Sequence, residues 1–183
     1  MADLKNNILL NRVFSKNTLN LLLNNPNKSN AFYAVITRYI TESKDKTNGQ
    51  LLSEIYQKLK TDYRNEYYYK NTLINTLLFK KHNPYRTTAL TEIPVAKSKA
   101  DFIMINGKAV VYEIKTELDN FERLDSQLNN YYKAFDHVCV VTCEKNLENL
   151  QKRIYNDNIG IYKITKRGAL SVVREPVIDR TYL

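Results

Sequence analysis

Two apolar runs, residues 99–105 and 108–115, flank the dipeptide Asn106-Gly107 and constrain the fold more than any other feature of the sequence. Asn-Gly between two such runs is a strong signal for a β-hairpin. Apolar side chains occupy both odd and even positions of each run. Because alternate side chains of a strand point to opposite faces, this pattern predicts a sheet that is covered on both faces.

Around this hairpin, hydrophobic periodicity predicts the element order α-β-β-β-α-β between residues 64 and 142. The elements outside the hairpin are a long helix over 64–82, a strand over 89–96, a helix over 118–135 and a strand over 137–142. A further helix over 144–156 and a closing hairpin of strands 159–164 and 169–174 follow. The predicted fold class is therefore α/β, with a mixed sheet flanked by helices.

The first sixty residues are predicted to be helical. Leu4, Ile8 and Leu9 share one helical face, and Ser15 is placed to cap a second helix that ends at Asn24-Asn25-Pro26. Two more helices are expected over 31–40 and 50–63. We therefore predict a helical N-terminal extension over residues 1–60 and a second domain over residues 61–183. The extension is a candidate cap or a dimerisation element of a homodimer, and a DNA-binding helix pair is the alternative.

Scarce residue types exclude several classes of site. The chain of 183 residues has four Gly, two His and two Cys, and the glycines do not have the spacing of a phosphate-binding loop. Two histidines cannot build a multi-histidine zinc site. Cys139 and Cys143 are four residues apart in a predicted strand, which is roughly 13 Å and too far for a disulfide. Carboxylates and lysines are left to carry any catalysis.

The charge distribution favours nucleic acid, with DNA preferred, as the partner. The net charge is +9, yet residues 101–150 hold five basic and nine acidic side chains and carry −4, so the remainder carries +13. An acidic segment within a basic frame suits a metal site that acts on a phosphate backbone. No apolar run reaches the length of a membrane span and the N-terminus has no signal pattern, so we expect a cytoplasmic protein without a membrane partner.

Three charged residues in the predicted hairpin form the candidate site. Asp101 begins the first apolar strand, and Glu113 and Lys115 end the second. An unpaired buried charge is energetically costly, so the presence of charged residues in these apolar strands needs an explanation. One explanation is a Glu–Lys pair at the edge of the sheet. The other is a Mg²⁺ ion, or Mn²⁺, held by Asp101 and Glu113, with Lys115 beside it to position or activate a water molecule.

The turn decides whether the two carboxylates can meet. A two-residue turn at Asn106-Gly107 would place Asp101 opposite Tyr112 and away from Glu113, because directly opposed residues share a face. Convergence requires an odd number of loop residues or a bulge. We therefore predict a three-residue loop or a G1-type bulge, with Gly107 at positive φ.

Asp101 followed by Glu113-Ile114-Lys115, on this element order, resembles the PD-(D/E)XK nuclease superfamily, although Ala100 stands where a Pro is usual. Gln127 and Tyr131 are similar to the Q-x-x-x-Y element of RecB-like members. The stretch from Tyr112 to Leu128, with residues 65–71, also resembles a small, largely uncharacterised bacterial and phage family within the superfamily. The resemblance covers roughly residues 60–145 and implies a restriction-endonuclease-like core.

The resemblance implies roles for further residues. Glu66 matches an acid on the preceding helix that often joins the site, and Glu92 is its competitor. The Ile114 carbonyl would join the carboxylates as a metal ligand, and Gln127 and Tyr131 would orient Lys115 or the substrate. The implied activity is Mg²⁺-dependent phosphodiester hydrolysis in nucleic acid. The alternative is a catalytically silent module on the same fold that binds nucleic acid or a protein of a defence or mobile-element system.

Overall fold

The computed structural model describes residues 10, 12–25 and 30–181. The chain divides into two compact units, residues 1–67 and 68–183, where the sequence placed a boundary after residue 60. The expected helix around Leu4, Ile8 and Leu9 and the role of Pro26 lie outside the described residues. Within the described ranges, no helix is both long enough and apolar enough to span a bilayer.

The first unit is helical, as the sequence predicts. Helix α1 (Lys16–Asn24) is capped by Ser15, whose hydroxyl oxygen accepts from the Thr18 N–H at 3.2 Å. Helices α2 (Asn30–Ile36) and α3 (Asn48–Asp62) follow, and Thr47 forms a capping box with Gln50 at the start of α3. These helices bury a shared apolar core formed by Leu10, Val13, Leu22, Phe32, Ile36, Ile40, Leu51, Ile55 and Leu59.

A helix that crosses the division leads into the second unit. Helix α4 (Glu66–Leu73) continues without a break as a π-helical segment, Ile74–Lys81. The predicted single helix over 64–82 is therefore confirmed in extent, but its second half has a wider hydrogen-bonding pattern than an α-helix. A short 3₁₀ turn, Pro84–Arg86, follows it, where the Asn83 side chain accepts from the Tyr85 N–H at 2.9 Å.

The second unit is built on a six-stranded mixed sheet in the spatial order β1-β2-β3-β4-β5-β6. The strands are β1 (Thr88–Val95), β2 (Ser98–Asn106), β3 (Lys108–Ile114), β4 (His137–Cys143), β5 (Gly160–Ile164) and β6 (Leu170–Arg174). The β3–β4 and β4–β5 pairs are parallel, and the other pairs are antiparallel. Helix α5 (Leu124–Tyr131) connects β3 to β4, and α6 (Leu147–Arg153) connects β4 to β5. The α/β class and the predicted element order are confirmed.

The central strands are buried at consecutive positions, so side chains of both faces are removed from water. One set, formed by Ile103, Val111, Leu124, Leu128, Tyr131, Val138, Val140, Leu150 and Ile161, packs into a core with the two connecting helices. Residues of the opposite face are buried as well, and their rings meet at centroid distances of 5.7 Å for both Phe102–Tyr112 and Tyr112–Tyr162. Cys139 and Cys143 are buried free thiols in this region.

The region after β3 differs from the prediction. The sequence predicts a helix over 118–135, and the residue type and position of Asp119 predict that it caps this helix. In the structure α5 begins at Leu124, and the preceding residue, Arg123, makes no side-chain capping bond. Asp119 instead accepts from the Thr116 N–H at 2.8 Å and from the Thr116 hydroxyl at 2.6 Å. This local turn satisfies the Asp119 carboxylate before the helix begins, so the capping prediction is wrong.

The hairpin between β2 and β3 has the predicted odd-numbered loop. Ile105 pairs with Ala109 and Asn106 with Lys108, so Gly107 is at the centre of a three-residue connection with φ of 71°. Continuing this register places Asp101 opposite Glu113. Both the loop length and the positive φ of Gly107 are therefore confirmed, and they put the two carboxylates on one face of the sheet.

Substitution of Gly107 tests the turn. A Cβ at this position would meet no atom within 4 Å, so the cost of Gly107→Ala is conformational rather than steric. We expect Gly107→Ala to lower the free energy of unfolding by about 1 kcal/mol, and Gly107→Asn by less, because Asn tolerates left-handed φ. Urea denaturation followed by circular dichroism checks this order. Equal stability of the Ala and Asn variants would contradict it.

Candidate active site

Asp101 and Glu113 occupy opposed positions on neighbouring strands, β2 and β3. Glu113 is almost completely buried, with 1% of its surface exposed, and Asp101 is partly buried. The Asp101 Oδ2 atom accepts the Ile114 N–H at 2.8 Å, a bond across the two strands. Ile114, whose carbonyl the resemblance assigns to a metal, is thus fixed next to Asp101 at the end of β3.

Lys115 follows β3 directly and is also buried, at 6% exposure. Its ammonium donates to Glu113 Oε1 at 2.9 Å and to Gln127 Oε1 at 2.8 Å. The main chain of Lys115 is held by β4, because its N–H donates to the Val141 carbonyl at 2.8 Å and its carbonyl accepts from the Thr142 hydroxyl at 2.9 Å. Contacts with β3, β4 and α5 therefore fix the position of the Lys115 ammonium.

Helix α5 supplies the remaining partners of this pair. Gln127 and Tyr131 are four residues apart and share a face, as the sequence predicts. The Tyr131 hydroxyl is 2.5 Å from Glu113 Oε2 and 2.9 Å from the Lys99 carbonyl, and it can donate to one of these at a time. Burial, and then the neighbouring Glu113 carboxylate, raise the pKa of Tyr131, so the phenol remains a neutral donor.

The sequence left open whether Glu92 belongs to the candidate site. Glu92 lies in β1 between Thr91 and Ile93, whose partners Phe102 and Ala100 flank Asp101. Its φ of 59° is unusual for a residue other than glycine. Carboxylate oxygens of Glu92 and Asp101 lie within 4.8 Å of each other. The Glu92 carboxylate also forms ion pairs with Lys70 and Lys99. A row of three acids, Glu92, Asp101 and Glu113, thus crosses the first three strands.

The structure therefore brings together five of the residues singled out in the sequence: Asp101, Glu113, Lys115, Gln127 and Tyr131. Glu66 is exposed at the first position of α4 and belongs to the first unit. Glu117 is exposed beyond the end of β3.

Three partners were not assigned to the site from the sequence. These partners are Lys99, Lys70 and Thr142. From the sequence alone, Lys99 is a candidate phosphate contact and Lys70 can pair with Glu66 four residues earlier on a helix surface, while Thr142 has no assigned role. Their contacts depend on how strands and helices approach one another, which leaves no local pattern. The β-branched, apolar character of residues 137–142 was the one available signal for Thr142, and it predicted the strand but not the hydroxyl's bond.

Removal of the Tyr131 hydroxyl tests the buried network. Tyr131→Phe leaves one oxygen of a buried carboxylate without its donor, so we expect the free energy of unfolding to fall by about 1.5–3 kcal/mol. Urea denaturation at neutral pH measures this loss. Tyr155→Phe is the matched control, because Tyr155 is exposed and its variant should stay within about 0.5 kcal/mol of the parent. Equal stability of both variants would refute the importance of the Tyr131–Glu113 bond.

Comparisons with known proteins place this site in a family. Protein cII of Enterobacteria phage P4 is 30% identical over 105 residues, an alignment that covers 56% of this chain and 39% of that protein's own length. A solved protein of unknown function from Silicibacter pomeroyi, SPO1766, superimposes with a TM-score of 0.41 at 15% identity over 52% of this chain and 64% of its own. SfsA of Pyrococcus furiosus, in complex with Ca²⁺, gives a TM-score of 0.36 at 12% identity over 61% of this chain and 64% of its own. The two structural similarities are too weak to carry an argument.

The family evidence is stronger than the structural similarities. The model of the family described as bacteriophage P4 protein cII matches residues 59–182, which include every candidate site residue and more than half of the chain. The chain therefore belongs to the bacteriophage P4 protein cII family.

Proposed function

We propose that this protein is a metal-dependent nuclease of the PD-(D/E)XK type that hydrolyses phosphodiester bonds, with DNA as the favoured substrate. The observation that carries the proposal is the buried Glu113–Lys115 pair, 2.9 Å apart, on the strand next to Asp101. A lysine and a glutamate are rarely buried in this way unless they are paired, because an unpaired buried charge is costly. The arrangement combines carboxylates with a fixed cation beside them.

The acidic row fits a hard divalent cation. Mg²⁺ and Mn²⁺ prefer oxygen ligands, and Asp101, Glu113 and the Ile114 carbonyl would supply them, with Glu92 next to Asp101. The Glu113 carboxylate has about four lone-pair sites, of which Lys115 and Tyr131 use two. Such a cation, when bound, would lower the pKa of a water molecule and stabilise charge on the phosphate.

Glu66 remains a proposed further ligand. It is four residues from Lys70 on α4, so the two share a helical face. Lys70 in turn pairs with Glu92 at the end of the acidic row. Glu66 and Glu92 are therefore not alternatives in this proposal. Glu66 would be a further metal ligand, and Glu92 would support Asp101 directly.

Lys115 is the proposed catalytic cation. Its three N–H groups have two fixed acceptors, Glu113 and Gln127, so one donor is left to position an attacking water molecule or a phosphate oxygen. Gln127 fixes the direction of the ammonium and Tyr131 fixes the carboxylate that faces it. Preorganised charge of this kind stabilises the transition state without reorganisation during the reaction.

The basic frame supports nucleic acid as the partner. The net charge is +9, and six cations of the second unit are exposed: Lys80, Lys81, Lys97, Lys99, Lys166 and Arg167. Tyr85, between the π-helical segment and β1, is 96% exposed. Exposed aromatic rings near basic side chains are typical of surfaces on which bases stack.

A second candidate function is a binding module on the same fold that does not cut. The observation in its favour is that the chain's own cations pair with the acidic row, since Lys70 and Lys99 contact Glu92 and Lys115 contacts Glu113. Charges that are paired within the protein can be structural rather than catalytic.

Substitution of Lys115 tests the nuclease proposal. Removing one partner of a buried ion pair costs about 3–5 kcal/mol, so Lys115→Ala would also lose stability. Lys115→Met keeps the aliphatic stem, and we expect it to reduce Mg²⁺-dependent cleavage of labelled DNA at least about 100-fold. Unfolding is measured in parallel, and Glu113→Gln combined with Lys115→Met removes both charges and restores part of the stability.

Lys152→Met is the matched control, because Lys152 is an exposed lysine paired with Glu148 away from the acidic row. It should cleave like the parent. A panel of single- and double-stranded DNA and RNA, with and without Mg²⁺, identifies the substrate. Cleavage by Lys115→Met at the parental rate would refute the proposal.

Metal titration separates the two candidate functions. Calorimetry with Mn²⁺ should show binding to the parent that is weakened at least about tenfold in Asp101→Asn. Glu148→Gln removes a highly exposed carboxylate and should leave the affinity unchanged. Absence of Mn²⁺ and Mg²⁺ binding, together with retained affinity for DNA, would favour the binding module.

A further inference from the structure

Residues 79–86 form the end of the π-helical segment and the turn before β1, and we call them the aromatic-basic segment. Phe79 is 59% exposed and Tyr85 is 96% exposed. The segment also contains three exposed cations, Lys80, Lys81 and Arg86. Aromatic side chains contribute most when they are covered, so two exposed rings among cations indicate a surface that a partner covers.

Hydrogen bonds hold the turn that carries Tyr85. The Asn83 side chain accepts from the Tyr85 N–H at 2.9 Å, and the Asn83 carbonyl accepts from the Thr87 hydroxyl at 2.8 Å. The Asn106 amide donates to the Thr87 hydroxyl at 2.9 Å and lies 3.0 Å from His82 Nδ1, so the turn is tied on both sides to the end of β2. Tyr85 is therefore an exposed ring on a fixed backbone, which lowers the entropic cost of covering it.

The charge around this turn is positive. Residues 68–91 contain four Lys or Arg residues and no Asp or Glu. Among the residues that the structure describes, the side chains of Lys80 and Arg86 form no ion pair. Lys81 lies 4.0 Å from Glu175, but both side chains are more than half exposed, so the pair is weak. These cations are available to an external polyanion.

Tyr155 shows that exposure alone does not produce such a surface. Its ring is 92% exposed, which is similar to Tyr85. However, the cation two residues before it, Arg153, is already ion-paired with Asp125. The turn at Tyr85 differs because its cations remain free to contact an anion beside the ring.

We propose that the aromatic-basic segment binds single-stranded nucleic acid. An unpaired base stacks on Tyr85, and backbone phosphates contact the three cations of the segment. In a duplex the faces of each base are covered by its neighbours, so an exposed ring adds stacking only to an unpaired strand. The inference rests on the proposed function in that it names the nucleic-acid partner as single-stranded, but it uses no residue of the acidic row.

An anionic membrane surface is the alternative partner for these charges. Binding at a membrane interface requires a broad apolar face opposite the polar face. Apart from Pro84, the apolar side chains of the segment are the rings of Phe79 and Tyr85, and cations separate them. This interleaved pattern favours nucleic acid, whose bases and phosphates alternate in the same way.

Binding of labelled oligonucleotides to the full chain tests the proposal. Fluorescence anisotropy is measured with a thymidine oligomer of about 20 nucleotides, long enough to fill one site, and with a duplex of the same length. The buffer contains EDTA, so metal-dependent cleavage cannot destroy the probe. We expect the parent to bind the single strand more tightly than the duplex. Tyr85→Ala should weaken single-strand binding roughly 5- to 100-fold and leave duplex affinity unchanged.

Salt dependence measures the contribution of the cations. Lys80→Gln combined with Lys81→Gln should reduce the slope of log affinity against log salt concentration by about 1.4, because each phosphate contact on a single strand contributes about 0.7. Lys152→Gln, at an exposed lysine of α6, should leave the slope unchanged. Tyr155→Ala is the matched control for the ring and should bind like the parent. Circular dichroism and urea denaturation establish that each variant is folded.

The remaining arms distinguish the partners. A matching RNA oligomer shows which sugar is preferred, and either preference supports the proposal. The proposal is overturned if Tyr85→Ala and Tyr155→Ala bind the single strand alike, or if the duplex binds as tightly as the single strand. It is also overturned if Tyr85→Ala loses binding to phosphatidylserine vesicles while its binding to the oligonucleotides stays parental. A chain that binds the strand through Tyr85 but does not cleave it with Mg²⁺ would contradict the nuclease proposal and leave this one standing.

Discussion

The second unit depends on one buried carboxylate. Glu113 is 1% exposed in the middle of a sheet, and an ionised carboxylate in such a place is tolerated only when it is paired and hydrogen-bonded. Lys115 and Tyr131 each contact one of its oxygens, at 2.9 Å and 2.5 Å. Those contacts require the β3 main chain, the start of the following turn and the face of α5 to be correctly placed at the same time. The carboxylate therefore couples three elements that are distant in sequence.

The same requirement extends to the neighbouring strands. The Lys115 carbonyl accepts from the Thr142 hydroxyl, so the cation that faces Glu113 is held by β4. The Tyr131 hydroxyl also approaches the Lys99 carbonyl of β2, so α5 is held against the strand that carries Asp101. Hydrogen bonds of this kind polarise one another inside a low-dielectric core, and partial loss costs more than a single bond. The geometry of the acids is thus preorganised by the fold.

Features with a fixed period were predictable from the sequence. The side-chain period of a strand is two, so counting residues around Gly107 was enough to show that the acids converge only with an odd-numbered loop, which the structure has. The helical period similarly placed Gln127 and Tyr131 on one face. Both arguments depend only on backbone geometry, so they hold without knowledge of tertiary contacts.

Features decided by competition between local partners were not predictable in the same way. Asp119 had the right residue type for a helix cap, but Thr116 offers it two donors three residues earlier, and α5 begins later. Glu92 has a positive φ, and its ion pairs with Lys70 and Lys99 form only once α4 and β2 have packed against β1. Backbone strain at a residue other than glycine persists when the surroundings over-determine it, and such residues cluster at functional sites. The strained backbone of Glu92 therefore depends on the packing of neighbouring elements, which no local sequence pattern reports.

Two consecutive tyrosines of the α5 region are both buried but differ in their hydrogen bonding. Tyr131 and Tyr132 are both buried, at 0% and 2% exposure, so they carry the same desolvation requirement. The Tyr131 hydroxyl meets it with Glu113, whereas the Tyr132 hydroxyl has no partner among the described residues. Successive side chains of a helix point about 100° apart, so the two hydroxyls cannot share a partner. The satisfied hydroxyl belongs to the network that fixes the acids, and the Tyr132 hydroxyl lies outside that network although the two residues are adjacent.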